Sequence, residues 1–169
     1  MPVEIQTGYT CIYTYLMASG SREKRSNGAT GIVRLPCACA NLLRAARLVT
    51  QLYEDALRPA RITAQQFTLL QTLKLAPGIS QKRVAELLGT DSTTLTRTLA
   101  LLKKRGWLSA EAAKDRRRLR LALTRAGERE YERVLPCWQS AQRRLKHALG
   151  DRNWNKLIDA AMYTAEAIQ

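Results

Sequence analysis

The sequence is short of acid. Aspartate and glutamate total 14 against 28 lysines and arginines, a formal net charge of +14. Such a surplus draws polyanions across a Debye length of about 10 Å, so nucleic acid and an anionic membrane surface both stay open as partners at this level. Histidine is scarcer still, with a single copy at His147. The sequence holds no phosphate-binding glycine loop, no paired-carboxylate cluster and no Gly-x-Ser-x-Gly. Little remains from which to build acid–base or nucleophilic chemistry, and an enzyme is not expected. Apolar runs of the roughly 20 residues that span a bilayer are missing. The start, MPVEIQTGYTCIYTYLM, carries Glu4 and lacks the basic n-region of a signal peptide. A cytoplasmic protein is therefore expected, with Met17 as a second candidate for the translation start. Four cysteines, Cys11, Cys37, Cys39 and Cys137, are too few and too scattered for a disulfide scaffold.

What is present suits one domain with a tail. A chain of 169 residues that is 46% hydrophobic and 25% charged can bury a real core. Residues 1–34 show no helical period and include SGSREKRSNGATG, a solvated composition that predicts a disordered tail. From about Leu35 to Leu57 the residues Cys39, Leu42, Ala46, Val49, Tyr53 and Ala56 recur at steps of three or four. That spacing predicts a helix with one apolar stripe, stopped by Pro59. Thr63 is a cap for a second helix that turns Phe67, Leu70 and Leu73 inward and closes at Pro77-Gly78. Further on, Thr124 caps a long helix from about Arg125 to Ala148, where Pro136 predicts a kink or local break. Asp151 is expected to cap a last helix with Trp154, Leu157, Ile158, Ala161 and Met162 on its apolar side.

The stretch from Ile79 to Leu123 concentrates the charge. Ser80 caps a third helix whose Val84, Leu87 and Leu88 are expected to face inward, and Gly89-Thr90 makes a turn. Asp91 then caps a fourth helix, placing a carboxylate at its positive end. Leu95, Leu99 and Leu102 form its buried side; Thr93, Thr96, Arg97, Ala100 and Lys104 lie opposite. Thr93, Thr94, Thr96 and Thr98 are mediocre helix formers, so the helix keeps them for what they touch. Gly106 ends it. Trp107 to Ala110 begins a strand, Ala112 to Arg117 forms a basic loop, and the return strand sends Leu119, Leu121 and Leu123 to one face and Arg118 and Arg120 to the other. A compact helical unit with this cationic surplus is suited to reading duplex DNA.

With those residues in hand, the stretch from about Leu42 to Ile168 resembles the multiple-antibiotic-resistance regulator (MarR) family of bacterial transcription factors. The resemblance rests on ITAQQFTLLQTL, on ISQKRVAELLGTDSTTLTRTLALLKKRGWL and on KDRRRLRLALTRAGE. The family's wing usually reads Asp-x-Arg-Asp-x-Arg. Asp115 and Arg117 match its second half, while Ala112 and Lys114 depart from its first. The resemblance implies a mainly α fold. A winged helix-turn-helix at 62–124, with a small β-hairpin wing, is flanked by helices at 35–58 and 125–169 that form a dimerisation domain. It implies a homodimeric regulator, in most such cases a repressor, on a palindromic double-stranded operator. Asp91 to Arg105 would enter the major groove, with Ser80, Gln81, Ser92, Thr93, Thr94, Thr96, Arg97 and Lys104 as contacts. Arg116 and Arg117 would enter the minor groove, with Asp115 bracing Arg117. The chemistry agrees, because threonine methyls suit thymine methyls, arginine suits guanine or phosphate, and a narrow minor groove attracts arginine. A nonspecific architectural DNA binder, or a winged helix turned to protein contacts, remains the alternative.

Cys39, in CANLLRAARLVTQLY, also resembles the family's organic-hydroperoxide-sensing branch, where a cysteine in this helix is oxidised and DNA is released. Tyr53 matches one of the tyrosines of that branch; Leu43 and Ala64 stand where two others are wanted. Fourteen residues of helix place Cys39 and Tyr53 roughly 21 Å apart, so only a two-fold partner brings them together. Cys137 is the candidate resolving thiol, since Cys37 is too near Cys39 for good disulfide geometry. Inert packing of Cys39 is the competing reading. Cys37, Cys39 and the distant His147 make poor zinc spacing, and neither metal nor cofactor is expected. A small phenolic or carboxylate effector is the remaining option, with Arg44 and Arg47 able to attract an anion.

Overall fold

The computed structural model describes residues 36–112 and 119–168, and Asp115, Arg116 and Arg117 lie outside them. The described elements are α1 (Ala38–Leu57), a short 3-10 turn (Arg58–Ala60), α2 (Ala64–Leu75), β1 (Ile79–Ser80), α3 (Gln81–Leu88), α4 (Ser92–Lys104), β2 (Leu108–Ala112), β3 (Leu119–Leu123), α5 (Arg125–Leu149) and α6 (Asp151–Ala167). The fold is mainly helical with one small antiparallel sheet, a winged helix-turn-helix. By its contacts the chain divides after Leu48. The described part of the first unit is the start of α1, where Leu42 and Leu43 are exposed. The second unit holds all the other elements.

The second unit's core is built on α2. Thr63 accepts a hydrogen bond from the Gln66 amide at 3.2 Å, and Gln66 Oε1 accepts one from the Thr63 amide at 3.3 Å, a reciprocal capping box. Glu54 of α1 accepts the Ala64 amide at 2.8 Å, satisfying another free N–H of the first turn. Phe67, Leu70 and Leu73 are buried as their spacing predicts, and so is Leu69. Helix α2 packs against both α5 and β3, which is why its apolar residues are not confined to a single stripe. The ring of Phe67 stacks on Tyr131 of α5 at 5.5 Å between centroids and meets Trp138 at 6.0 Å. Val84, Leu95, Leu102 and Val134 close the same core.

Several local expectations need correction. A third strand, β1, joins the hairpin in the order β1-β3-β2, pairing Ile79 with Leu121 and Ser80 with Arg120. Two residues carry no periodicity, so no sequence pattern announces it. Strand β2 runs on to Ala112, into the expected loop, and pairs it with Leu119. Leu87 is 54% exposed, because a two-turn helix buries one residue, Val84, and Leu87 falls beside that contact. Of the kink or local break expected at Pro136, the break is absent, since α5 is one continuous helix through it. The ring stands on the exposed side, where water can serve the carbonyl left without an amide partner. Asp151 is not the cap of α6. Gly150 takes that position without a side-chain bond, and the Asp151 carboxylate pairs with Lys146 at 3.1 Å.

The base of the wing is pinned to α5. At the end of α4 the Gly106 amide donates to the Lys103 carbonyl at 2.9 Å and the Trp107 amide to Leu102 at 3.0 Å, a Schellman closure. Thr124 then ties that closure to the next helix. Its hydroxyl donates to the Gly106 carbonyl at 2.6 Å and accepts the Gly127 amide at 3.1 Å, and its amide donates to the Trp107 carbonyl at 3.0 Å. Gly127 sits so close that a Cβ there would stand 2.1 Å from that carbonyl oxygen.

Candidate nucleic-acid interface

Helices α3 and α4 are set by their caps. The Ser80 hydroxyl accepts the Arg83 amide at 3.3 Å. Gly89 ends α3 with φ +56, a left-handed turn that glycine adopts without penalty. The Asp91 carboxylate accepts the Thr94 amide at 2.8 Å and opens α4. Hydrogen bonds from the Thr94 side chain, and then from its backbone amide, hold the Asp91 carboxyl below the usual carboxylate range. A group depressed in this way supports the fold above its unfolded pKa of about 3.9 and loses that support as pH falls through the folded value. Asp91→Ala should therefore fray the first turn of α4 at neutral pH, read as amide exchange at Thr93 and Thr94. The wild-type and variant should start to converge below about pH 3.9 and coincide once pH has fallen through the folded value. Equal protection at neutral pH would remove Asp91 as the cap.

From that start α4 divides into two faces. Leu95, Leu99 and Leu102 are buried, as expected. Ser92, Thr93, Thr96, Arg97, Ala100 and Lys104 are exposed. The threonines differ. Thr96 donates its hydroxyl to the Ser92 carbonyl at 2.6 Å and accepts Gln81 Nε2 of α3 at 2.9 Å, a bridge between the two helices. Thr98 is 7% exposed and donates to the Thr94 carbonyl at 3.0 Å, so the core accounts for it rather than any partner. Thr94 is half-buried, and its amide serves the cap. Among the described residues Arg97 makes no hydrogen bond or ion pair. Its guanidinium extends from the middle of the exposed face. Lys82 and Arg83 of α3 stand exposed around Glu86, at 3.9 and 3.1 Å.

The structure thus brings together Ser80, Gln81, Ser92, Thr93, Thr94, Thr96 and Arg97 on the paired helices. Lys104 lies at the far end of α4, some 18 Å along the axis at 1.5 Å per residue. The candidate redox residues belong to different units. Cys37 and Cys39 are exposed in the first unit, and Cys137 is half-buried on α5 in the second. Tyr53 donates its hydroxyl to Gln142 Oε1 of α5, and burial pushes its phenol up. That bond joins residues 89 apart in sequence, and no local pattern signals it. Among the described residues no group of acidic, histidine or cysteine side chains could hold a metal ion. No described helix is long and apolar enough to cross a membrane.

Comparison with known proteins agrees with this geometry. The sequence profile of the MarR family matches residues 62–118, the whole helix-turn-helix and the first part of the hairpin. The helix-turn-helix transcriptional regulator YwoH of Bacillus subtilis is 28% identical over 91 residues. That match covers 54% of this chain and 66% of YwoH, just under two thirds of its length. The transcriptional regulator MosR of M. tuberculosis, solved in complex with DNA, is 31% identical, with 78% of this chain and 96% of that one covered and a TM-score of 0.69. The transcriptional repressor CouR of Rhodococcus jostii, solved on a 23-mer DNA duplex, is 25% identical over 80% of this chain and 99% of its own, with a TM-score of 0.71. With this family match and these relatives, the chain belongs to the MarR family of DNA-binding transcriptional regulators.

Proposed function

We propose that two copies of the chain form a dimer that reads an inverted-repeat operator and represses from it until a small ligand or thiol oxidation releases the DNA. The observation that carries this reading is the exposed row Ser92, Thr93, Thr96 and Arg97 on a helix capped, packed and bridged so that the row is rigid. Residues 62–124 act as the DNA-reading part, with Arg116 and Arg117 as its minor-groove contacts and Asp115 as the brace. Dimerisation through 35–58 and 125–169 is supported by apolar surface left uncovered. Helix α6 buries no residue and exposes Leu157, Ile158, Met162 and Tyr163, and the start of α1 exposes Leu42 and Leu43. Apolar helix faces of this kind mark association surfaces, and a two-fold pairing covers the same face on both subunits. MosR and CouR are each seen on DNA, and CouR is a repressor. A cytoplasmic site of action follows from that role.

A cavity of about 350 Å³ supports the ligand route. It lies against the α3–α4 turn, among Thr50, Gln65, Thr68, Leu88, Thr90 and Thr98, and no charged side chain lines it. Hydroxyl, amide and aliphatic groups suit an uncharged phenol better than a carboxylate. A ligand there would touch α4 and the turn that aims it. Selection from random duplexes should return an inverted repeat; enrichment of no motif would overturn the operator reading and favour an architectural role. On the selected operator, Cys39→Ser should resist release by an organic hydroperoxide while still responding to a phenol. Full release of the variant by hydroperoxide would remove Cys39 as the sensor.

A further inference from the structure

A second basic site lies away from the reading face. Pro59, Arg61, Arg105, Trp107, Glu130 and Arg133 line an open recess of about 530 Å³. Its three arginines come from the turn after α1, the end of α4 and the third turn of α5, so the fold assembles a cluster that the sequence scatters. The three are not equally engaged. Arg133 is held by Glu130 through Nε at 2.8 Å and Nη2 at 2.7 Å, and Nη2 also donates to the Ala60 carbonyl at 2.9 Å. The Arg105 guanidinium lies over the Trp107 ring at 4.7 Å. It stacks there, with no carboxylate partner among the described residues. The Arg61 guanidinium has no hydrogen bond or ion pair among the described residues either. Among the described residues, one carboxylate, Glu130, lines the recess beside three guanidinium groups, and two of those have no acidic partner.

Arg61 carries a further mark. Its φ of 55 and ψ of 38 make it the positive-φ residue other than glycine among the described residues. A side chain in that region is strained, and glycine would relieve it. Keeping arginine there sets a guanidinium at the rim of a recess already rich in them. The chemistry of the recess is that of an oxyanion site, since planar guanidinium forks match phosphate oxygens in pairs. Its position separates it from base reading: Arg105 lies thirteen residues beyond Ser92, roughly 20 Å along α4 at 1.5 Å per residue.

We propose that Arg61, Arg105 and Arg133 form a binding site for a free phosphate-type dianion, such as a phosphate ester, distinct from the DNA-reading face. A backbone phosphate of flanking DNA offers the same chemistry, and the test separates the two. Pyrophosphate is titrated calorimetrically into the DNA-free full chain at constant ionic strength. Saturable binding of one pyrophosphate per chain is expected, weakened at least tenfold in Arg61→Gly and in Arg105→Ala. Arg61→Gly suits the left-handed backbone, so it removes the guanidinium without endangering the fold. Arg143→Ala, in another basic recess beside Lys146 and His147, should bind like wild-type. Operator affinity measured without pyrophosphate should be unchanged in Arg61→Gly. Unsaturable binding, or equal loss in Arg143→Ala, would overturn the site. A loss of operator affinity in Arg61→Gly would assign the recess to DNA phosphate and overturn the free-ligand form.

Discussion

Gly127→Ala should be among the most damaging single-methyl changes in this protein. The added carbon would stand 2.1 Å from the Trp107 carbonyl oxygen and 2.9 Å from its carbonyl carbon, both backbone atoms. A flexible side chain could swing aside; this carbonyl cannot, because the Thr124 amide already donates to it at 3.0 Å. Relief requires α5 to move away from the base of the wing, which breaks the Thr124 bonds to Gly106 and Gly127. Overpacking of a rigid site costs about 3 kcal/mol, which for a chain of this size lowers Tm by roughly 6–12 °C. The same displacement tilts the wing relative to α4, so folded variant at low temperature should also bind the operator less tightly. A variant with wild-type Tm would mean that this approach is looser than described.

Arg97→Ala should have the largest effect on DNA binding of any change on α4. Its guanidinium stands on the exposed face with no described partner, ready to be spent on a base edge or a phosphate. Loss of one arginine contact to a base costs about 1–3 kcal/mol of discrimination, and the proposed dimer would lose it twice, so a fall in operator affinity of about 30-fold or more is expected. A base contact would also relax selectivity at one position in each half-site, whereas a phosphate contact would weaken all sequences alike and flatten the salt dependence. On the proposed minor-groove contact, Arg117→Ala should weaken binding and lower the salt slope. Thr98→Val serves as the internal contrast. Its hydroxyl is buried and internally bonded, so stability changes while base selectivity does not. Wild-type affinity in Arg97→Ala would remove α4's central residue from the interface.

How much of this was legible in the sequence follows from where the information lies. The two faces of α4 were legible because Leu95, Leu99 and Leu102 repeat at helical spacing and are in fact buried. Four of the five expected caps were legible too, since Thr63, Ser80, Asp91 and Thr124 each bond an amide within three residues, whereas Asp151 pairs with Lys146 instead. Strand β1 was not, because a two-residue strand exists through its partner Leu121 and has no pattern of its own. Composition does not separate Thr98 from the other threonines, since it cannot tell an exposed hydroxyl from one folded back on its own helix. The exposure of Leu87 was not legible, because spacing alone does not say how wide a face a short helix can bury. The pairing of Tyr53 with Gln142 and the Arg61–Arg105–Arg133 recess depend on which elements the fold brings side by side. Neither has a sequence motif.

The proposed regulator reads DNA through α4 as one half of a two-fold pair. Hydroxyl-radical and guanine-methylation footprints of the full chain on its selected operator test that most directly. Protection should fall in two major-groove windows, about one helical turn apart (roughly 10 bp) and related by a dyad, and Arg97→Ala should lose methylation protection at one symmetric guanine pair. A single unpaired window, or even protection along the duplex that Arg97→Ala leaves unchanged, would contradict it.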